Sequence, residues 1–86
     1  MLTNEQIFTD LKDITAKLLR INFEDIEKIA HYDSTLKNDL GIDSVESLDL
    51  LHELETRYGI EINDAEAAKL EKVSDVIDLV LSKKGY

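Results

Sequence analysis

Apolar residues recur at helical spacing along most of this 86-residue chain, and no proline interrupts them. Ile7, Leu11, Ile14 and Leu18 follow at intervals of four, three and four, on one face of a helix broadened by Phe8. Leu50, Leu51, Leu54 and Tyr58 form a second such face, flanked by Val45 and Leu48. Val76, Ile77, Val80 and Leu81 form a third near the end. Three glycines are too few turn residues for a sheet protein. The pattern predicts an all-α fold: a four-helix bundle with three main helices, one short third helix and a long first loop. The length allows one domain, residues 1–86, with a core that has little apolar surface to spare.

End signals set the boundaries. Thr3 and Gln6 match a capping box for the first helix, whose end carries Lys17 and Arg20 in favourable contact with its dipole. Periodicity weakens from 21 to 42, a long connection pinned to the core by Phe23, Ile26, Ile29 and Leu36, with a helical turn within 24–30. Gly41 suits a turn that needs positive φ. Asp43 is the expected cap of the second helix, with Glu46 at its third position, and Gly59 its stop. Residues 60–62 are extended. Asp64 is then expected to cap a brief helix through Leu70, whose alanines permit close packing. The last helix runs from near Ser74 to near Lys83, with Gly85 beyond it.

The formal net charge of −9 disfavours nucleic acid and anionic membranes as partners. A basic protein surface is the natural complement, although surplus acid also serves solubility alone. No run approaches membrane-spanning length, and the first residues lack the basic-then-apolar order of a signal peptide. A cytoplasmic monomer, without membrane insertion, is expected. Cysteine is absent, so disulfides and thiolate metal sites are excluded. The acidic stretch 33–43 lacks the alternating ligands and central glycine of a calcium loop, so no metal site is expected.

The chemistry of the chain concentrates in Asp39-Leu40-Gly41-Ile42-Asp43-Ser44-Val45, a tight turn that delivers one hydroxyl to a helix start. A nucleophilic serine needs a base within reach. His52 lies about two turns along the same helix, and His31 is in the long connection. No Gly-x-Ser-x-Gly elbow is present. The chain is therefore not expected to be an enzyme. Local pattern alone makes Ser44 a helix-start residue. A phosphate there would meet free N–H groups, opposed by the carboxylates of Asp43 and Glu46. Glu46, Asp49 and Glu53 continue as one exposed stripe, which reads either as a solvated face or as a docking strip, weakened at its far end by Arg57.

Taken together, these residues resemble an acyl carrier protein. The resemblance covers nearly the whole chain. Its most specific part is the stretch 39–45, similar to the family's Asp-Leu-Gly-x-Asp-Ser-Leu. Leu54-Glu55-Thr56-Arg57-Tyr58-Gly59-Ile60-Glu61-Ile62 and Val73-Ser74-Asp75-Val76-Ile77-Asp78-Leu79-Val80 support it. The resemblance implies that Ser44 receives 4′-phosphopantetheine from coenzyme A through a phosphopantetheinyl transferase, and that acyl groups ride on the arm as thioesters. It implies docking of basic patches on acyl-chain synthases, reductases, dehydratases or acyltransferases by Asp43, Glu46, Asp49, Glu53 and Glu55. It also implies an acyl pocket formed from Val45, Leu48, Leu51, Ile62, Ala67, Leu70 and Val76.

Several positions depart from the family pattern. Val45 replaces Leu, Glu46-Ser47 and His52 alter the recognition surface, Asn63 stands for Pro, and Lys72 for a capping Thr. A fatty-acid-type carrier acting in trans is the primary expectation. Alternatives are a specialised carrier for polyketide or other secondary acyl chemistry and, in a different class, an acidic helical interaction module without a prosthetic group.

Overall fold

The structure is a computed structural model and describes residues 2–84. Gly85, expected beyond the last helix, lies outside the described residues. Five helices are present among them: α1 Asn4–Leu19, α2 Phe23–Ile29, α3 Ser44–Tyr58, α4 Asp64–Ala68 and α5 Val73–Lys84. The all-α architecture with three long helices and one short helix before the last is as expected. The difference lies in the first connection, where the expected turn is the seven-residue α2.

Helix α1 starts as its sequence predicts. Thr3 Oγ1 accepts the Gln6 N–H at 3.2 Å, and the Gln6 side chain accepts the Thr3 N–H at 2.9 Å. Ile7, Leu11 and Ile14 are buried, while Leu18 is half-buried. Arg20, expected in the last turn, is instead the left-handed C-cap, with φ 57°. Thr15 is buried on the same helix because its hydroxyl donates to the Leu11 carbonyl at 2.8 Å, leaving no polar atom unmatched.

Helix α2 docks on α1 through mixed contacts. Ile26 is fully buried. Lys12 Nζ lies 4.4 Å from the Phe8 ring centre and 5.5 Å from that of Phe23, and pairs with Glu27 at 3.4 Å. Ile29 is not the anchor its spacing suggests: it is 41% exposed, and Ala30 is buried in its place. Phe23 is half-buried.

From Ala30 onward the connection is sewn to the start of α5. Leu36 N–H donates to the Glu71 carbonyl, Val73 N–H to that of Ser34, and Ser74 N–H to that of Tyr32, at 2.9, 3.0 and 2.9 Å. These bonds satisfy backbone groups that a buried loop would otherwise strand. They also carry Leu36, Leu40 and Ile42 into the core. Core packing centres on α1, which contacts α2, α3 and α5. Leu50, Leu54, Val73, Val76 and Val80 are fully buried there.

Helix α4 differs in detail from expectation. Its cap is Asn63, not Asp64: Asn63 Oδ1 accepts the Glu66 N–H at 2.8 Å, and Glu66 returns the bond to the Asn63 N–H at 3.1 Å. The helix ends at Ala68, short of Leu70. The missing threonine cap of α5 is replaced from within the helix, where Asp75 Oδ2 accepts the N–H groups of Glu71 and Lys72 at 3.0 Å each.

Candidate functional site

Ser44 is the first residue of α3 and is exposed. The turn before it is held rigidly. Thr35 N–H donates to Asp39 Oδ2 at 2.8 Å, and Asp39 N–H donates to Thr35 Oγ1 at 3.1 Å. Gly41 adopts φ 71°, a left-handed geometry that costs a residue with a side chain about 1–2 kcal/mol. Ile42 then bonds back to the Leu36 carbonyl at 2.9 Å and buries its side chain. The Asp-Leu-Gly-Ile-Asp order is thus a structural device that sets the exit direction of α3.

The carboxylates flanking Ser44 are already engaged. Asp43 Oδ1 accepts the Glu46 N–H at 2.8 Å, and Glu46 Oε1 accepts the Asp43 N–H at 3.1 Å. Each carboxylate thus satisfies a backbone N–H of the α3 cap. The Ser44 hydroxyl makes no hydrogen bond among the described residues.

A cleft of about 340 Å³ opens beside Ser44, between the loop 35–43 and the segment that joins α4 to α5. Leu36, Ile42 and Leu70 form its apolar wall. Lys37, Asn38 and Ser47 add polar groups, with Asp43 and Glu71 at its border. Neither histidine lines it; His31 and His52 are both exposed elsewhere. The carboxylate of the cleft beside Ser44 in sequence, Asp43, is engaged with the Glu46 N–H. Lys37 and Asn38 had no sequence signal of their own, being two polar residues in an aperiodic loop.

The residues expected to dock partners fall into two groups. Asp49 and Glu53 are exposed on α3. Asp43 and Glu46 share the cap, and Glu55 is half-buried with Oε2 accepting the Ile62 N–H at 2.8 Å. Arg57 does not blunt the strip as expected. Its guanidinium turns to α1 and pairs with Asp10 at 3.4 Å and Asp13 at 3.6 Å.

The seven residues expected to line an acyl pocket differ in exposure. Val45 and Leu48 are 68% and 66% exposed, turned outward rather than flanking the buried face. Leu51 and Val76 are core residues, and Ile62, Ala67 and Leu70 pack half-buried against that core. Of the seven, Leu70 alone lines the cleft beside Ser44. Among the described residues, no group of three or more His, Asp or Glu side chains is placed to hold a metal, and no helix is long and apolar enough to cross a membrane.

Comparison with known proteins places this geometry in context. The family model described as "Phosphopantetheine attachment site" matches residues 9–80. The acyl carrier protein of Wolinella succinogenes is 35% identical over 78 residues, 91% of this chain and 97% of its own length. That of Thermotoga maritima is 28% identical over 85 residues, 99% of this chain and all of the relative. A solution structure from Anaplasma phagocytophilum, provisionally assigned as an acyl carrier protein, superposes with a TM-score of 0.79 at 29% identity, covering 95% of this chain and 92% of that one.

Proposed function

This chain belongs to the acyl carrier proteins, whose prosthetic group is 4′-phosphopantetheine and which are carriers rather than enzymes, and on that basis we propose that Ser44 is its attachment point. The observation that carries this reading is the exposed and unengaged Ser44 hydroxyl, held at the start of α3 by a rigid turn, within the matched residues 9–80. When bound, the arm supplies a terminal thiol, which this cysteine-free chain lacks, and on which acyl groups form thioesters.

The chain's own part is passive at the reacting atom. Ser44 Oγ attacks the pantetheine-side phosphorus of the coenzyme A diphosphate, the P–O bond to the nucleotide half breaks so that adenosine 3′,5′-bisphosphate leaves, and the serine proton goes to a base on the transferase, which also holds the Mg²⁺. Neither histidine lines the cleft, and Asp43 Oδ1 is engaged with the Glu46 N–H, which fits this division of labour. Helix α3 presents N–H groups without intrahelical partners toward the new phosphodiester. Asp49 and Glu53 then guide basic surfaces of the transferase and of fatty-acid-type biosynthetic enzymes to the same end of the molecule.

Intact mass measured after incubation with coenzyme A, Mg²⁺ and a broad-specificity phosphopantetheinyl transferase tests the assignment. One phosphopantetheine increment is expected, absent in Ser44→Ala. An increment that persists in Ser44→Ala, or none with several transferases, overturns it.

A further inference from the structure

The attachment at Ser44, on which this inference rests, leaves open what holds the arm once it is in place. The cleft beside Ser44 carries one cation, Lys37. In a chain with net charge −9, Lys12, Lys17, Lys28 and Lys83 pair with carboxylates, as Arg57 does, whereas Lys69, Lys72 and Lys84 make no ion pair among the described residues. Lys37 makes no ion pair among the described residues, although Glu71 borders the same cleft.

The backbone that presents Lys37 is fixed on both sides. Leu36 is bonded to Glu71, and the Thr35 and Asp39 groups bond each other across the turn. Lys37 is therefore a charge on a hydrogen-bonded rim of the same cleft that Ser44 lines. The rest of the cleft has the mixed character of the remaining arm. Leu36, Ile42 and Leu70 offer an apolar wall for its methyl groups, and Asn38 and Ser47 offer partners for its amides.

We propose that Lys37 is the seat for the phosphodiester on Ser44, and that it turns the arm back into the cleft between residues 35–43 and 70–71. Lys37 is a positioning residue. An exposed pair of this kind is weak and screened by salt. It biases the arm toward the cleft without locking it, so a partner enzyme can draw the arm out.

The test compares amide spectra of the ¹⁵N-labelled protein before and after loading, with intact mass confirming the increment. Loading is expected to shift the signals of Leu36, Lys37, Asn38, Leu70 and Glu71 as well as those of 43–47. In loaded Lys37→Gln the shifts at 36–38 and 70–71 are expected to disappear, Lys37→Arg should retain them, and added salt should diminish them in the parent protein. A full mass increment with shifts confined to 43–47, or an unchanged pattern in Lys37→Gln, overturns the seat while leaving attachment intact. A missing increment speaks instead against attachment at Ser44.

Discussion

At the scale of single residues, the side chains with the most demanding surroundings lie far from Ser44. The Tyr58 hydroxyl donates to Asp10 at the end of α3, where Arg57 holds Asp10 and Asp13. Burial is the main force that raises the Tyr58 pKa, and the hydrogen bond to Asp10 adds to it. The folded state thus holds this proton more tightly than the unfolded chain. The associated stability is fully present below the unfolded value of about 10 and is lost as the pH climbs above it. Tyr58→Phe is expected to lower stability at neutral pH by about 1 kcal/mol and to flatten the alkaline decline, as read by urea unfolding at pH 7 and above pH 10. An equally steep decline in the variant would assign the alkaline loss to other groups. The network also explains why Arg57, which looks from its position like a flaw in the acidic strip, is absent from it.

At the scale of elements, α4 is the least secured. It has five residues, none of them buried, and a helix of that length has no stability of its own. It is held by the cap between Asn63 and Glu66, by the Glu66–Lys83 pair at 3.0 Å, and by the half-buried side chains around it. The Glu66 carboxyl is pulled below its usual range, first by the Asn63 N–H and then by Lys83. A lowered folded pKa means that this hold exists above the unfolded carboxylate value and fades as the pH falls through the folded one. Asp75 at the start of α5 is lowered in the same direction, by the N–H groups of Lys72 and Glu71. Glu66→Ala is therefore expected to speed amide exchange across residues 64–70 while leaving the amides of Leu50 and Leu54 protected. Uniform acceleration through α3 would mean that α4 is no separate unit.

At the scale of the whole molecule, charge and shape combine. With Arg57 drawn to α1, the exposed surface of α3 leads from Ser44 past the apolar Val45 and Leu48 to Asp49 and Glu53. Asp49→Lys and Glu53→Lys test steering without touching the helix cap, which Glu46→Lys would break. Each is expected to slow modification by a basic transferase about tenfold at low salt, with the gap closing as salt rises. Equal rates across salt would end the docking role of this strip.

The chain's local signals settled most of this architecture. Helices α1, α3 and α5, the caps at Thr3 and Asp43, the stop at Gly59 and the place of Ser44 all follow from periodicity and from residues three or four apart. Such signals act within one or two turns, so they are legible in sequence. Helix α2 was legible only as a helical turn within 24–30, because its seven residues bury only Ile26 and its support comes from Phe8 and Lys12 on another helix. The outward turn of Val45 and Leu48 follows from the phase of α3, which sets them away from Leu50, Leu54 and Tyr58, whereas the inward turn of Leu40 and Ile42 goes with the bonds of their N–H groups to the Thr35 and Leu36 carbonyls. The cleft beside Ser44 was decided in the same way. Its two walls, residues 35–43 and 70–71, are far apart in the chain and meet through the bond from Leu36 to Glu71. Sequence alone thus determined that Ser44 opens α3 behind the Asp43 cap. Tertiary structure decided which residues surround it, because that depends on hydrogen bonds between segments with no periodic relation to each other.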